Sequence, residues 1–203
     1  MNSAVMAFVK SVIDPSHVVG KRVLEVGSLD FNGTPRSVIE PMGPCEYIGV
    51  DMQNGRGVDR VMSVSFLSDQ LGPESFGLVV STEMLEHVQD WRWAVTQLKR
   101  VTEPGGHLLV TTRSPGFGYH GYPHDFWRFT EADFREIFSD LVDVTIAPDD
   151  SEPGICVYGR VPLGLVERDL SDIHPATSPD PPTRLKRYVR RILGVAVRRL
   201  TRR

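Results

Sequence analysis

Residues 21–30 read Lys21-Arg22-Val23-Leu24-Glu25-Val26-Gly27-Ser28-Leu29-Asp30, and their reading decides the fold. A short apolar run meets a glycine, then an acidic, small-residue turn that continues to Gly33. Thr34 and Pro35 follow as a cap and a first-turn proline for the next helix. The pattern is strand, turn and helix, and it recurs outward. Residues 46–50 form a second apolar run that ends in Asp51, residues 59–62 a weaker short strand, and residues 76–80 a third clear one. Glu83 opens a helical stretch. Trp91, Ala94, Val95, Leu98 and Val101 fall at helical spacing, and Pro104-Gly105-Gly106 stops that helix. Residues 108–112 read as the next strand. Thr130 caps a helix over 131–138, and 141–146 and 155–161 are late strands. Residues 1–19 form a helical lead-in broken at Pro15. Strands alternating with helices predict an α/β domain with a parallel sheet covered on both faces.

The chain has 203 residues, 40% of them apolar, which suits one such domain with a short extension. Cys45 and Cys156 lie far apart with no ligand partner at metal spacing, so both read as small buried hydrophobes in a reduced, cytoplasmic compartment. No signal-peptide pattern and no run of membrane-spanning length is seen. The net charge of −3 hides an asymmetry: residues 184–203 hold nine Lys or Arg and no acid, which leaves 14 basic against 26 acidic residues in 1–183. An acidic body argues against a nucleic-acid-binding face.

In an open α/β sheet the ligand sits beyond the carboxyl ends of the strands, so the turn after residue 26 selects the cofactor. A phosphate loop needs Gly-Lys followed by Ser or Thr, and the chain has none. Gly27 and Gly33 are six apart, which fits a dinucleotide fingerprint poorly. The acidic turn suits a cationic ligand that carries an amino group. Asp51 lies 24 residues after Gly27, where an acid accepts from ribose hydroxyls. A plain turn glycine and a plain helix cap fit the same two residues.

Five blocks in order resemble one family: VLEVGSLDFNG, YIGVDMQNGRGVD, FGLVVSTEMLEHVQDW, LKRVTEPGGHLLVTT and YHGYPHDFWRFTEADF. Over roughly residues 20–160 the chain is similar to class I S-adenosylmethionine-dependent methyltransferases, in the small type 11-like branch that decorates glycans and secondary metabolites. The resemblance implies a Rossmann-like fold: a mainly parallel seven-stranded sheet, helices on both faces and an antiparallel last strand. It implies S-adenosylmethionine as cofactor. Gly27 and Ser28 then pack on its methionine part, Glu25 and Asp30 lie near its amino group, Asp51 meets the ribose and Met52 flanks the adenine. Ser81, Thr82 and Glu83 line the sulfonium side. Relatives carry an acid after the third strand for the adenine amino group. Here the stretch is Met62-Ser63-Val64, and Ser63 stands in that place.

Methyl transfer from a sulfonium is an in-line displacement, and a hydroxyl acceptor also needs a base. His107, at a strand start, reads as structural. His87 follows the fourth strand at the rim that the resemblance gives to methyl transfer. The loop over the sheet's carboxyl edge, residues 119–129, carries Tyr119, His120, Tyr122, His124, Asp125, Trp127 and Arg128. Aromatic faces with scattered polar donors suit a sugar or another polyhydroxylated ring. The catalytic set is therefore His124, oriented by Asp125, with His87 second. Tyr119, His120, Tyr122, Trp127 and Arg128 are the acceptor contacts. An aromatic lid merely braced by His124 and Arg128 fits the same sequence. Glu83, His120, His124 and Asp125 offer ligand atoms for a divalent ion, but their spacing matches no fixed metal motif and the site is read without a metal.

These readings divide the chain into a methyltransferase domain over 1–174, a proline-rich linker over 175–183 and a basic amphipathic tail over 184–203. The tail suits an anionic membrane surface or the acidic body of a neighbouring copy, and it lacks the aromatic platform of a nucleic-acid binder. The expected function is O-methylation of a sugar hydroxyl in a saccharide, glycoside or glycolipid. N-methylation of a small metabolite and a non-catalytic partner subunit are the alternatives.

Overall fold

A computed structural model describes residues 2–121 and 124–179. Its main sheet is built from β1 (Arg22–Val26), β2 (Glu46–Asp51), β3 (Arg60–Val61), β4 (Phe76–Thr82), β5 (Thr102–Arg113), β7 (Val142–Pro148) and β8 (Gly154–Arg160) in the order β3-β2-β1-β4-β5-β8-β7. The pairs from β3 to β5 are parallel, and β8 runs antiparallel between β5 and β7. This is the expected mixed seven-stranded sheet. A two-stranded ribbon joins β6 (Trp127–Arg128) to β9 (Ala176–Thr177).

Both faces of the sheet are covered, because the strands alternate. Val23, Leu78, Val80 and Leu109 pack with Val9 and Ile13 of helix α1 (Ser3–Val12) and its end, and with Ile39 of α2 (Arg36–Ile39). Leu24, Val26, Val79, Leu108 and Val110 pack on the opposite face. There they meet Leu67 of α3 (Leu67–Leu71), Trp91, Val95 and Leu98 of α4 (Trp91–Val101), and Phe134 and Ile137 of α5 (Glu131–Ile137). β4 is buried at all seven positions, as a central parallel strand requires.

Several local expectations change. The Pro104-Gly105-Gly106 segment does not separate α4 from a later strand. Thr102 caps α4 and begins β5 at once, and the three residues form a bulge, with Phe76 opposite Thr102 but Leu78 opposite His107. Gly105, at φ +82°, turns its amide to Val161 O at 2.8 Å. Glu83 opens no helix: it sits at φ +56°, and a short 3-10 turn over Leu85–His87 precedes α4. Residues 176–177, expected in the linker, pair with β6, and Ser178 N donates to Phe126 O at 2.7 Å. Cys156 is buried as expected, whereas Cys45 is exposed. His107 is structural as read: it stacks on His17 and Tyr158, and its Nδ1 meets the Tyr158 hydroxyl at 2.8 Å. Residues 184–203 and the linker from 180 lie outside the described residues, as does Tyr122. No helix among the described residues is long and apolar enough to cross a membrane.

One buried ion pair ties α4 to the end of α5. Lys99 is 2% exposed, yet its ammonium donates to both oxygens of Asp140 at 2.7 and 2.8 Å and to Ile137 O at 2.6 Å. Removing one partner strands the other charge in the core. Asp140→Ala is expected to cost about 3–5 kcal/mol in urea unfolding. The paired replacement Lys99→Met with Asp140→Leu should recover most of that loss.

Candidate functional site

The carboxyl ends of β1, β2, β4 and β5 open into one cavity of about 960 Å³. Its lining contains Glu25, Gly27, Ser28, Asp51, Met52, Thr82 and Glu83 from the expected cofactor set, with His87 and His120 on the opposite side. The geometry at Gly27 explains why a glycine stands there. Its φ is +81°, and a Cβ would fall 2.8 Å from both Cβ and Cγ of Met84. Gly27 and Ser28 both donate their amides to Val50 O, at 2.9 and 3.0 Å, which turns the chain across the end of β2.

The acids around this turn have distinct tasks. Asp51 accepts from Gln53 N at 2.8 Å and, at the long distance of 3.4 Å, from Leu29 N, with its carboxylate at the cavity wall. Asp30 is drawn aside by Gly33 N at 2.8 Å and by Arg56 at 3.1 Å, and it does not line the cavity. Glu25 is 2% exposed and receives the hydroxyls of Thr34 at 2.6 Å and Tyr47 at 2.8 Å. Burial pushes its carboxyl up to about 7, although both hydroxyls favour the charge. Ser28 Oγ is buried without a hydrogen-bond partner among the described residues, a polar atom available to a ligand. Ser81 also has an unpartnered hydroxyl, but it lies inside β4 rather than on the lining. Ser63 caps the turn over Val64–Phe66 by accepting from Ser65 N at 3.2 Å; its neighbours Met62 and Val64 form the cavity wall instead. Met52 is 70% exposed and Phe31 69% exposed, and both border the same opening.

On the opposite side the expected pairing of His124 with Asp125 is replaced. The His124 ring is exposed, rests near Phe126 at 5.4 Å between centroids and does not line the cavity. Adjacent side chains diverge here, so Asp125 turns inward to a different histidine. It receives both terminal nitrogens of Arg128 at 2.6 Å, the His120 amide at 3.0 Å and His120 Nδ1 at 3.1 Å. Burial opposes the charge on Asp125, but these donors outweigh it and hold the carboxyl far below its ordinary range. Arg128 is 1% exposed and also donates to Phe117 O at 3.2 Å and Gly118 O at 2.9 Å. It braces the loop rather than facing an acceptor. Trp127 sends its indole N–H to Val88 O at 3.0 Å, away from the cavity. Tyr119 folds over Gly121, where an added Cβ would sit 2.2 Å from its hydroxyl.

Three residues that sequence reasoning passed over complete this side. Glu86 is fully buried and accepts the Thr112 hydroxyl at 2.7 Å. Arg113, at the end of β5, pairs with Glu83 and lies 3.1 Å from Glu152. Thr111 donates to Glu83 at 2.9 Å. Burial and the nearby charge of Glu86 push Glu83 up. Glu86 is also opposed by burial, yet His120, His87 and Thr112 hold it below its usual value. Its only sequence signal is its place three residues after Glu83 and immediately before His87, beside a strand end that meets the ligand.

Two outcomes follow from the cofactor side. Gly27→Ala carries about 1–2 kcal/mol of left-handed strain plus the overlap with Met84. Gly43→Ala, at φ +84° with open space around it, carries the strain alone. Urea unfolding should separate the two, with Gly27→Ala the costlier. For Glu25, the unfolded chain loses its proton near 4.5 and the folded chain only near 7. Stability from this group is therefore complete below 4.5, falls as pH rises to about 7 and stays lower above it, by about 3 kcal/mol. Glu25→Gln is expected to abolish that fall, read as the difference between wild-type and variant unfolding curves at pH 4.5 and pH 8.

The methyltransferase-domain family model matches residues 3–140, more than half of the chain. A ubiquinone biosynthesis O-methyltransferase of Vibrio atlanticus is 28% identical over 109 residues, 48% of this chain and 46% of that protein. Its counterpart from Idiomarina loihiensis is 29% identical over 126 residues, 55% and 49% of the two chains. The chain thus spans about half the length of these curated relatives. Among solved structures, the 1,6-didemethyltoxoflavin-N1-methyltransferase of Burkholderia thailandensis, bound to 1,6-didemethyltoxoflavin and S-adenosylhomocysteine, aligns with a TM-score of 0.59 at 15% identity over 79% of each chain. The N-methyltransferase NodS of Bradyrhizobium japonicum aligns at 0.56 and 16% identity, over 77% of this chain and 94% of that one. These neighbours share the fold, and the family match extends from α1 through the end of α5. The chain shares the fold of the class I S-adenosylmethionine-dependent methyltransferases, and it belongs to the methyltransferase-domain family.

Proposed function

We propose that this protein is an S-adenosylmethionine-dependent O-methyltransferase whose acceptor is a hydroxyl of a small polyhydroxylated molecule, a saccharide or glycoside. The observation that carries the reading is the His120 ring: it lines the cofactor cavity and is oriented by the Asp125–Arg128 pair. An amine that arrives neutral needs no base; a hydroxyl does. The curated relatives named as O-methyltransferases support the same choice.

The residues present fit the cofactor. Gly27 leaves room against Met84, Ser28 Oγ is an unsatisfied buried hydroxyl, and Asp51 offers a carboxylate at the wall. When bound, S-adenosylmethionine supplies an electrophilic methyl, whose C–S electron pair stays on sulfur as the C–O bond forms. Asp51 would accept the ribose hydroxyls, and Met52 with Phe31 would cover the adenine side. Thr82, Glu83 and Met84 line the wall that would face the sulfonium side. His120 would take the acceptor proton at Nε2, because its Nδ1 is held by Asp125. Phe117 packs edge-on against the His120 ring, 4.9 Å between centroids, an aromatic surface beside the acceptor side that would suit a sugar face. Tyr122 and the basic tail 184–203, with its reading as a membrane-surface or neighbour contact, lie outside the described residues.

Burial opposes the positive charge on His120, but Glu86 and Asp125 outweigh it, so the ring holds its proton above the ordinary 6.5. As a base it works only after losing that proton. With a glycoside acceptor, kcat/KM should rise with pH along a limb centred above 6.5. His120→Asn is expected to remove the limb and lower kcat/KM by about 10²–10⁴, while S-adenosylhomocysteine binding, measured by calorimetry, stays within a few fold. A flat profile with undiminished turnover in the variant would assign the transfer to an amine. Absent S-adenosylhomocysteine binding in the wild type would leave only the partner-subunit reading.

A further inference from the structure

The acceptor side of the cavity holds a charge arrangement that base catalysis does not use up. Glu86 Oε2 is satisfied by Thr112, but Oε1 is buried with no hydrogen-bond partner among the described residues. It lies 3.5 Å from His120 Nε2 and 3.9 Å from His87 Nε2, and one ligand atom from each of the three residues lies within 4.8 Å of the others. A buried carboxylate oxygen without a donor is costly, so something must answer it.

In their neutral forms the two rings turn bare Nε2 atoms toward that oxygen. His87 Nδ1 sits 2.5 Å from the His124 carbonyl, which only accepts, so the proton belongs on Nδ1 and Nε2 is bare. His120 Nδ1 sits 3.1 Å from Asp125, whose charge is fixed by Arg128, with the same result. With both rings neutral, three acceptors that converge on one point repel each other unless a proton or a metal cation lies between them. Carboxylate or carbonyl groups behind each ring are the usual supports of metal-binding histidines.

We propose that Glu86, His87 and His120 form a site for a divalent transition-metal cation of the Zn²⁺, Mn²⁺ or Co²⁺ class. Two imidazoles and one carboxylate favour these ions over Mg²⁺, which prefers an oxygen shell. Ligands about 2.0–2.2 Å from a tetrahedral ion stand roughly 3.3 Å apart, so the widest gap must close by about 1.5 Å at most. The histidine side chains are 21% and 31% exposed and can move by that much, whereas Glu86 is fixed from beneath. Both histidines line the cavity, so the ion's open positions face the space where an acceptor oxygen would sit. In the metal-bound state His120 serves as ligand, and the ion raises the acidity of the hydroxyl in place of the ring. The purpose of the site rests on the methyl-transfer reading above; the binding of the ion does not.

The test is Co²⁺ titration of metal-stripped full-length protein, followed by visible absorption and calorimetry, for the wild type and for His87→Ala, His120→Ala and Asp125→Asn. One equivalent should bind the wild type with ligand-field bands. Each histidine variant should bind at least about tenfold more weakly, and Asp125→Asn should lose about 10–100-fold through its ligand. Circular dichroism and S-adenosylhomocysteine affinity check that each variant is folded. Unsaturable binding, or equal affinity in wild type and histidine variants, overturns the metal site and leaves the three residues to share a proton. Because Co²⁺ is titrated without cofactor, a protein that takes the ion but not S-adenosylhomocysteine keeps this proposal and loses the methyltransferase one.

Discussion

Asp125 and Arg128 meet through two parallel hydrogen bonds of 2.6 Å beneath the loop that closes the cavity, at 8% and 1% exposure. Two charges taken from water need every remaining donor and acceptor answered. Here the surplus donors of Arg128 go to the carbonyls of Trp127, Phe117 and Gly118, and the surplus capacity of Asp125 goes to the amide and ring of His120. The pair therefore does for this loop what a strand ladder does for the sheet. It orders a segment that has few regular backbone hydrogen bonds, and in doing so it sets one imidazole.

The cofactor side rests on the opposite kind of construction. Gly27, Asp51, Thr82 and Glu83 follow directly from the ends of three adjacent parallel strands, so their relative positions are those of the ladder. Positions fixed by a sheet vary less than positions on loops. The strain at Glu83, a non-glycine residue at φ +56°, lies where the two constructions meet. Its carboxylate is held by Arg113 and Thr111 from β5, and its backbone turns the chain toward Glu86 and His87. A core built in layers and a rim built from ion pairs are thus joined through one left-handed residue.

The central elements were legible because burial imposes periodicity. β1, β2, β4 and α4 match their apolar patterns to within a residue or so, and Asp51 stands at a strand end as its spacing implied. The Pro104-Gly105-Gly106 segment misled because glycines that end a helix also permit a bulge, and only the neighbouring Gly77 shows which occurs. His124 misled for a different reason. Adjacency in sequence suggested a pair with Asp125, yet an arginine three residues after an acid was the stronger partner, and it pulled Asp125 into the interior. Glu86 was invisible because its buried state depends on β5 and on the loop around residue 120, both remote in sequence. The fold was written in periods of two and of 3.6; the rim depends on which charged groups find one another, and that has no period.

The β6–β9 ribbon gives the C-terminal segment a mechanical role. Ala176 and Thr177 are laced to Trp127 and Arg128, and Ser178 N holds Phe126 O. Residues 176–178 and the segment that carries Asp125 and Arg128 are therefore links in one short strap. A force applied at Ser178 would pass first to residues 126–128, beside the anchor of His120, and only afterwards to the sheet. The loop is tethered from outside the catalytic fold, and the load path from that tether ends on the ring that faces the cavity.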